Sequence, residues 1–189
     1  MKRISLLPLL IVFLSGCNSE DSPSTNSPDS PPSVPPQAVS LADSVKKELE
    51  LSYSRNEPQL DRTSSLEGKD EDGNGVRDDI DLIIADTNAD DAVKKALTQT
   101  AKALQDEMKV DWDSLSETEA KDAIRELSST SVKSHQCMAE TLGSGFSRTS
   151  KTLQALTFNT KARTLHYLKG NNVADGMAFS IGDHDNACE

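Results

Sequence analysis

Residues 70 to 81 read Asp-Glu-Asp-Gly-Asn-Gly-Val-Arg-Asp-Asp-Ile-Asp, with oxygen-bearing side chains at alternate positions ahead of a glycine. In a twelve-residue frame, Asp70, Asp72 and Asn74 stand at positions 1, 3 and 5, Gly75 at 6, Val76 at 7, Asp78 at 9 and Asp81 at 12. A calcium loop of that length draws oxygens from those positions, uses the backbone carbonyl of the seventh residue, and turns sharply at the sixth. Glycine makes the turn with a positive φ at little steric cost. Four carboxylates, an amide oxygen and a carbonyl are hard donors, and no thiol or imidazole stands nearby to favour zinc. Ligand number favours calcium over magnesium, which demands a small octahedron and tends to keep its waters. The competing reading is an Asp/Asn/Gly turn that is merely solvated.

Two features set this loop apart from a paired EF-hand. Arg77 occupies position 8, where an apolar residue normally joins a strand bridge to a second loop, and Pro58, Ser64, Ser65 and Gly68 precede the loop instead of a clear entering helix. The terminal ligand is Asp81, one methylene shorter than the usual bidentate Glu. The loop resembles the solitary loop-helix calcium motifs of dockerins and related secreted modules, which also end on Asp. That resemblance implies a site that stabilises a fold, not a sensor. The other acidic clusters fail the same register: Asp91 follows Asp86, Asn88 and Asp90 where glycine is needed, Asp111 and Asp113 lead to Leu115, and Asp183 and Asp185 lead to Ala187. One site is expected.

Catalytic constellations are not evident. His135, His166 and His184 are the only histidines, and none has a His-x-x-x-His spacing. Gly143-Ser144-Gly145-Phe146-Ser147 lacks the order of a nucleophile elbow and reads as a turn between helices. A thiol nucleophile at Cys137 served by His135 is disfavoured, because helical residues two positions apart do not face each other. No enzymatic activity is expected.

The elements that must carry the loop begin with a targeting segment. Lys2 and Arg3 precede an apolar run from Ile4 to Leu14, and Leu14-Ser15-Gly16-Cys17 follows. The run is too short to span a bilayer and ends in small residues. Leu-Ser-Gly-Cys resembles the lipobox of bacterial lipoproteins, which implies that Cys17 becomes the acylated first residue, carrying palmitate-type chains. Asn18 after the Cys, by resemblance to Gram-negative lipoproteins, implies outer-membrane sorting. Each buried methylene adds about 0.8 kcal/mol, so several chains anchor firmly. Residues 1–16 are then a lipoprotein signal peptide and 17–39 a lipidated Cys with a Pro/Ser-rich tether. Six of the eight prolines lie in that tether, which at ~3.1 Å per residue spans tens of ångströms when extended. The formal charge of −11 becomes two units more negative without Lys2 and Arg3. No basic patch is interleaved with aromatics, which argues against nucleic acid as a partner.

Once Cys17 is lipidated, Cys137 and Cys188 remain as a pair in an oxidising compartment, so a disulfide between them is expected. Residues 40–189 fit one small, mostly α-helical domain. Leu41, Val45 and Leu49 mark a first helix, and Ile80, Ile83 and Ile84 the helix leaving the loop. Asn88 or Asp90 caps a third helix whose face is Val93, Leu97, Ala101, Leu104 and Met108. Ser116 and Glu119 form a capping box for a fourth, with Ala120, Ile124, Leu127 and Met138 inside and Gly143 as its stop. Leu153 and Leu156 belong to a fifth stripe. Asn159 is expected to cap a sixth helix through Ala162, Leu165 and Leu168, ended by Gly170-Asn171, and Met177 to Ile181 to form a short strand. Aromatic residues are only 4% of the chain, so the core is thin and a disulfide and a bound cation have an energetic reason to exist.

Together the lipobox, the tether, the loop, Asn159-Thr160 and the final Ala187-Cys188 resemble small lipoproteins of marine and enteric Gammaproteobacteria. The resemblance implies a compartment and supplies no activity. The leading expectation is a membrane-anchored, calcium-stabilised binding module that meets a protein partner. A periplasmic immunity or inhibitor lipoprotein is the alternative. A cell-envelope hydrolase comes third, since it needs a pocket with converging polar groups.

Overall fold

A computed structural model describes residues 39–180, 182 and 186–188. The signal peptide, the lipidation at Cys17 and nearly all of the tether fall outside the described residues, as do Asp183, His184 and Asp185. Among the described residues there are six α-helices and no strand: α1 (Leu41–Asn56), α2 (Asp78–Asp86), α3 (Asp91–Met108), α4 (Glu117–Leu142), α5 (Phe146–Thr157) and α6 (Lys161–Ala174), with a 3-10 turn at Glu57–Gln59. No described helix is long and apolar enough to cross a membrane.

Local chemistry sets most helix starts. The side chains of Ser40, Asp90, Ser116 and Thr160 accept the N–H of the third residue of the helix each precedes, which satisfies a donor the helix cannot. At α4 the expected capping box forms with Glu119, and Gly143 ends the helix at φ +67°.

Helix α3 is the hub, packing on α2, α4, α5 and α6, while α1 packs on α2 and α5. Its stripe of Val93, Ala96, Leu97 and Ala101 meets Val45 and Leu49 of α1, the isoleucines of α2, Met138 of α4 and Leu153 of α5 in one core. A smaller cluster gathers Trp112, Ala120 and Ile124. The many hydroxyls inside are satisfied without water: Ser52 Oγ donates to Ile83 O, Thr149 Oγ1 to Ala42 O, and Thr100 and Thr157 to carbonyls one turn back. The Cys137–Cys188 disulfide is present and holds the C-terminal residues against the core, where Ala187 is fully buried and its carbonyl accepts from Gln99 Nε2.

Four expectations need correction. Leu41 is exposed and Ala42 takes the inner position of α1. Thr160, not Asn159, caps α6, because Asn159 is engaged with Arg163 and the Asp61 carbonyl. Helix α6 continues through Gly170 and Asn171 to Ala174, with Leu165 and Leu168 outward and Arg163, His166 and Gly170 inward. Residues 177–180 form no strand.

Candidate metal centre

The loop runs out of an irregular segment directly into α2, whose first residue is Asp78. Its neck is closed by the Asp78 N–H donating to Lys69 O at 2.8 Å and the Glu71 N–H to Asp78 Oδ1 at 2.9 Å. Inside, Asp70 Oδ1 accepts the Asn74 N–H at 3.2 Å and Asp70 Oδ2 the Gly75 N–H at 2.9 Å, while Asp72 Oδ1 also accepts the Asn74 N–H at 3.1 Å. Gly75 sits at φ +90°, a backbone that L side chains rarely adopt, and the stem of Lys102 lies against it. Val76 at position 7 buries its side chain in the core, which pins the loop to the helical domain at that residue.

Asn74 sits between two acids. Its Nδ2 donates to Asp72 Oδ2 at 3.1 Å and Asp81 Oδ2 at 2.7 Å, and its Oδ1 accepts the Val76 N–H at 2.7 Å. An amide donor therefore bridges the carboxylates at positions 3 and 12, as a cation could. Among the described residues no group of three or more His, Cys, Asp or Glu side chains is gathered to hold a metal ion. The donor types and their order fit a hard cation, and coordination requires the Asn74 amide to turn its oxygen inward and the carboxylates to close. Electrostatics point the same way. Burial pushes the Asp81 carboxyl up, and the charges of Asp72, Asp70 and Asp78 push it further, against the Asn74 hydrogen bond. Asp70 is instead held below its ordinary value: burial opposes this, but hydrogen bonds from Gly75, Asp72, Gly73 and Asn74 outweigh it.

Behind the loop lies a buried polar clamp that the spacing argument did not reveal. Arg77 is completely buried. Its Nε and Nη2 grip the two carboxylate oxygens of Asp79 at 2.5 and 3.2 Å, and its Nη1 donates to Thr157 O at 3.0 Å. Asp79 Oδ2 also accepts the Asp61 N–H at 2.8 Å. Arg163, equally buried, donates from Nε to Leu66 O at 3.0 Å and from Nη1 to Asp61 O and Asn159 Oδ1 at 2.6 and 2.7 Å. Its Nη2 lies 3.3 Å from Asp61 Oδ1 without a well-directed hydrogen bond. Burial raises the Asp61 carboxyl, but Thr63 and Arg163 bring it down to about 2. Burial and the neighbouring Arg77 charge pull Arg163 below the usual arginine range.

The clamp ties residues 61–69 before the loop, and 77–79 after it, to α5 and α6. Gly68 closes it at φ +73°: a Cβ there would fall 2.2 Å from Arg77 Cδ and 2.6 Å from Asp61 Oδ2. Position 8 therefore holds an arginine because the loop leans on a buried ion pair, where a paired loop would lean on a strand bridge. The signal available in sequence was the basic residue itself, at a position that is normally apolar.

The other sequence candidates resolve as follows. Cys137 is in the disulfide and offers no thiol. His135 pairs with Ser150: its Nδ1 lies 2.8 Å from Ser131 O and so carries the proton, leaving Nε2 to accept from Ser150 Oγ at 2.9 Å. Ser150 is inside α5 with its own N–H in the helix ladder, so that N–H cannot serve as an oxyanion donor. Glu107, never singled out from the sequence, is pushed up to about 7 by burial, close to the His166 ring whose Nε2 donates to the Glu107 carbonyl at 3.1 Å. No protein-family model, no curated protein and no solved structure matches the chain.

Proposed function

We propose that the chain is a calcium-binding lipoprotein of the bacterial cell envelope, anchored in the outer membrane through Cys17, whose helical domain serves as a binding module for a protein partner. Asp70, Asp72, Asn74, Asp78, Asp81 and the Val76 carbonyl hold the ion, and calcium serves the fold. The observation that carries this reading is the path of the loop: Gly75 at φ +90° and backbone N–H groups already given to Asp70 and Asp72, in a loop closed at its neck. A cation there offsets the repulsion around Asp81 and fixes the first turn of α2, where Asp78, Asp79 and Asp81 already suit the helix N-terminus.

Calorimetry and thermal melting test the reading together. Extracellular modules bind calcium at about 0.1 to 1 mM. Saturation at ten to a hundred times Kd then adds about 1.4 to 2.7 kcal/mol, a rise in Tm of roughly 3 to 10 °C for a domain of this size. The Asp81→Asn variant should lose both the binding heat and the rise. An unchanged Tm in EDTA, with no binding heat up to several millimolar calcium, rules the reading out.

A further inference from the structure

Away from the loop, α3, α4, α5 and α6 enclose a groove of about 570 Å³, within the range of ~300 to 1,000 Å³ usual for small-molecule sites. Along α4 its lining runs from Ile124 to His135, about 16 Å at 1.5 Å per residue. Leu104, Leu127, Ala174 and Phe179 supply apolar wall. Into this lining comes Glu107, one turn beyond Leu104 on α3. No hydrogen bond or ion pair from the described residues reaches its carboxyl group, whereas its own backbone carbonyl is bonded to His166. Next to it the Trp112 indole is buried, and its Nε1 has no hydrogen-bond partner among the described residues. Both side chains crowd Gly170, where a Cβ would meet Glu107 Oε1 at 2.8 Å and Trp112 Cζ2 at 3.0 Å.

We propose that this groove binds an organic ammonium ion, whose charge rests on the Glu107 carboxylate and whose apolar body lies on Leu104, Leu127 and Ala174. A carboxyl group partly withdrawn from water, with no donor among the described residues, is costly to ionise, and a ligand cation supplies what those residues do not. A bare metal ion is a poor occupant because one carboxylate offers too few oxygens. An anion is repelled by Glu107 and by an acidic chain with a formal charge of −11. The lysine in the lining, Lys151, is exposed on α5 beside Ser150 and forms no ion pair with Glu107. The proposal does not depend on calcium binding at residues 70–81.

The test uses the full chain in millimolar calcium with three water-soluble probes of one shape: 2-phenylethylammonium, 2-phenylethanol and 3-phenylpropanoate. Calorimetry reports binding, and Trp112, the sole tryptophan, adds a second readout because its indole packs against Gly170 of the lining. The ammonium should bind saturably and about tenfold or more tighter than the alcohol, with the propanoate weakest. Glu107→Gln should weaken the ammonium at least about tenfold and leave the alcohol unchanged. Ala174→Phe, at the end of α6, should fill the groove and reduce ammonium and alcohol binding alike. The proposal fails if the ammonium shows no saturable binding up to about 10 mM, or if the alcohol or the propanoate matches it. It also fails if Glu107→Gln shifts Trp112 emission while ammonium binding stays at the wild-type level, since Glu107 is then an internal partner of the indole.

Discussion

Asp61 and Glu107 are two partly buried acids that this domain treats in opposite ways. Asp61 is surrounded by donors, from Thr63, Lys69 and Arg163, and its carboxyl falls to about 2. Glu107 has partial burial without a donor among the described residues, and its carboxyl rises to about 7. Desolvation acts on both, so the difference is one of supply: the clamp was built around Asp61, whereas the groove leaves Glu107 facing open space. A charge satisfied inside the fold holds the fold together. One left unsatisfied beside a cavity is available to a ligand.

Removing a clamp partner should break the contrast most severely. Arg163→Met removes the guanidinium from the Asp61 carboxylate and carbonyl and leaves the Leu66 carbonyl without its donor, and loss of one member of a buried pair typically costs about 3 to 5 kcal/mol. Urea unfolding should show a loss of that size. A loss below about 1 kcal/mol, the value of a surface ion pair, would mean that the clamp contributes little. Gly68→Ala should come next, at roughly 2 to 3 kcal/mol, because a left-handed backbone and a Cβ against Arg77 act together. The same measurement checks it, and a neutral result would show that Arg77 moves aside freely.

The smallest effect, and the sharpest for the comparison, is the pH dependence. Asp61 has a depressed folded pKa, so its contribution is complete above its unfolded value near 3.8 and is lost as pH falls toward about 2. Glu107 has a raised one, so the native state holds the extra proton and stability falls as pH rises from about 4.5 to about 7, then levels off. The domain should therefore lose about 1 to 2 kcal/mol between pH 5 and pH 8 through Glu107, after allowance for its partial contact with solvent. Glu107→Gln should flatten that limb and leave the acid limb in place. If the two proteins keep parallel profiles above pH 5, Glu107 is not the group that titrates.

Helix α6 marks the limit of what pattern could reveal. Ala162, Leu165 and Leu168 looked like its inner face because hydrophobic periodicity counts only apolar side chains. The face that turns inward carries Arg163, His166 and Gly170, since this helix packs on a polar clamp and on Trp112. Stripes facing an apolar core, as on α3 and α4, were legible for the converse reason. In the loop, residue types and order were readable because ligand spacing is a local property of one segment.

The sequence alone determined what depends on neighbours along the chain: the capping box at Ser116, a cap at Asn88 or Asp90 for α3, the glycine turn at 75, the order of oxygen donors from 70 to 81, and Cys137 and Cys188 as the expected pair. Only the tertiary structure decided that Asp90 caps α3, that Arg77 and Arg163 clamp the loop, that His135 meets Ser150, and that Glu107 stands beside a groove with no partner among the described residues. Those are meetings of residues up to about a hundred positions apart. Burial and the supply of hydrogen-bond partners are set by packing, which no single segment contains.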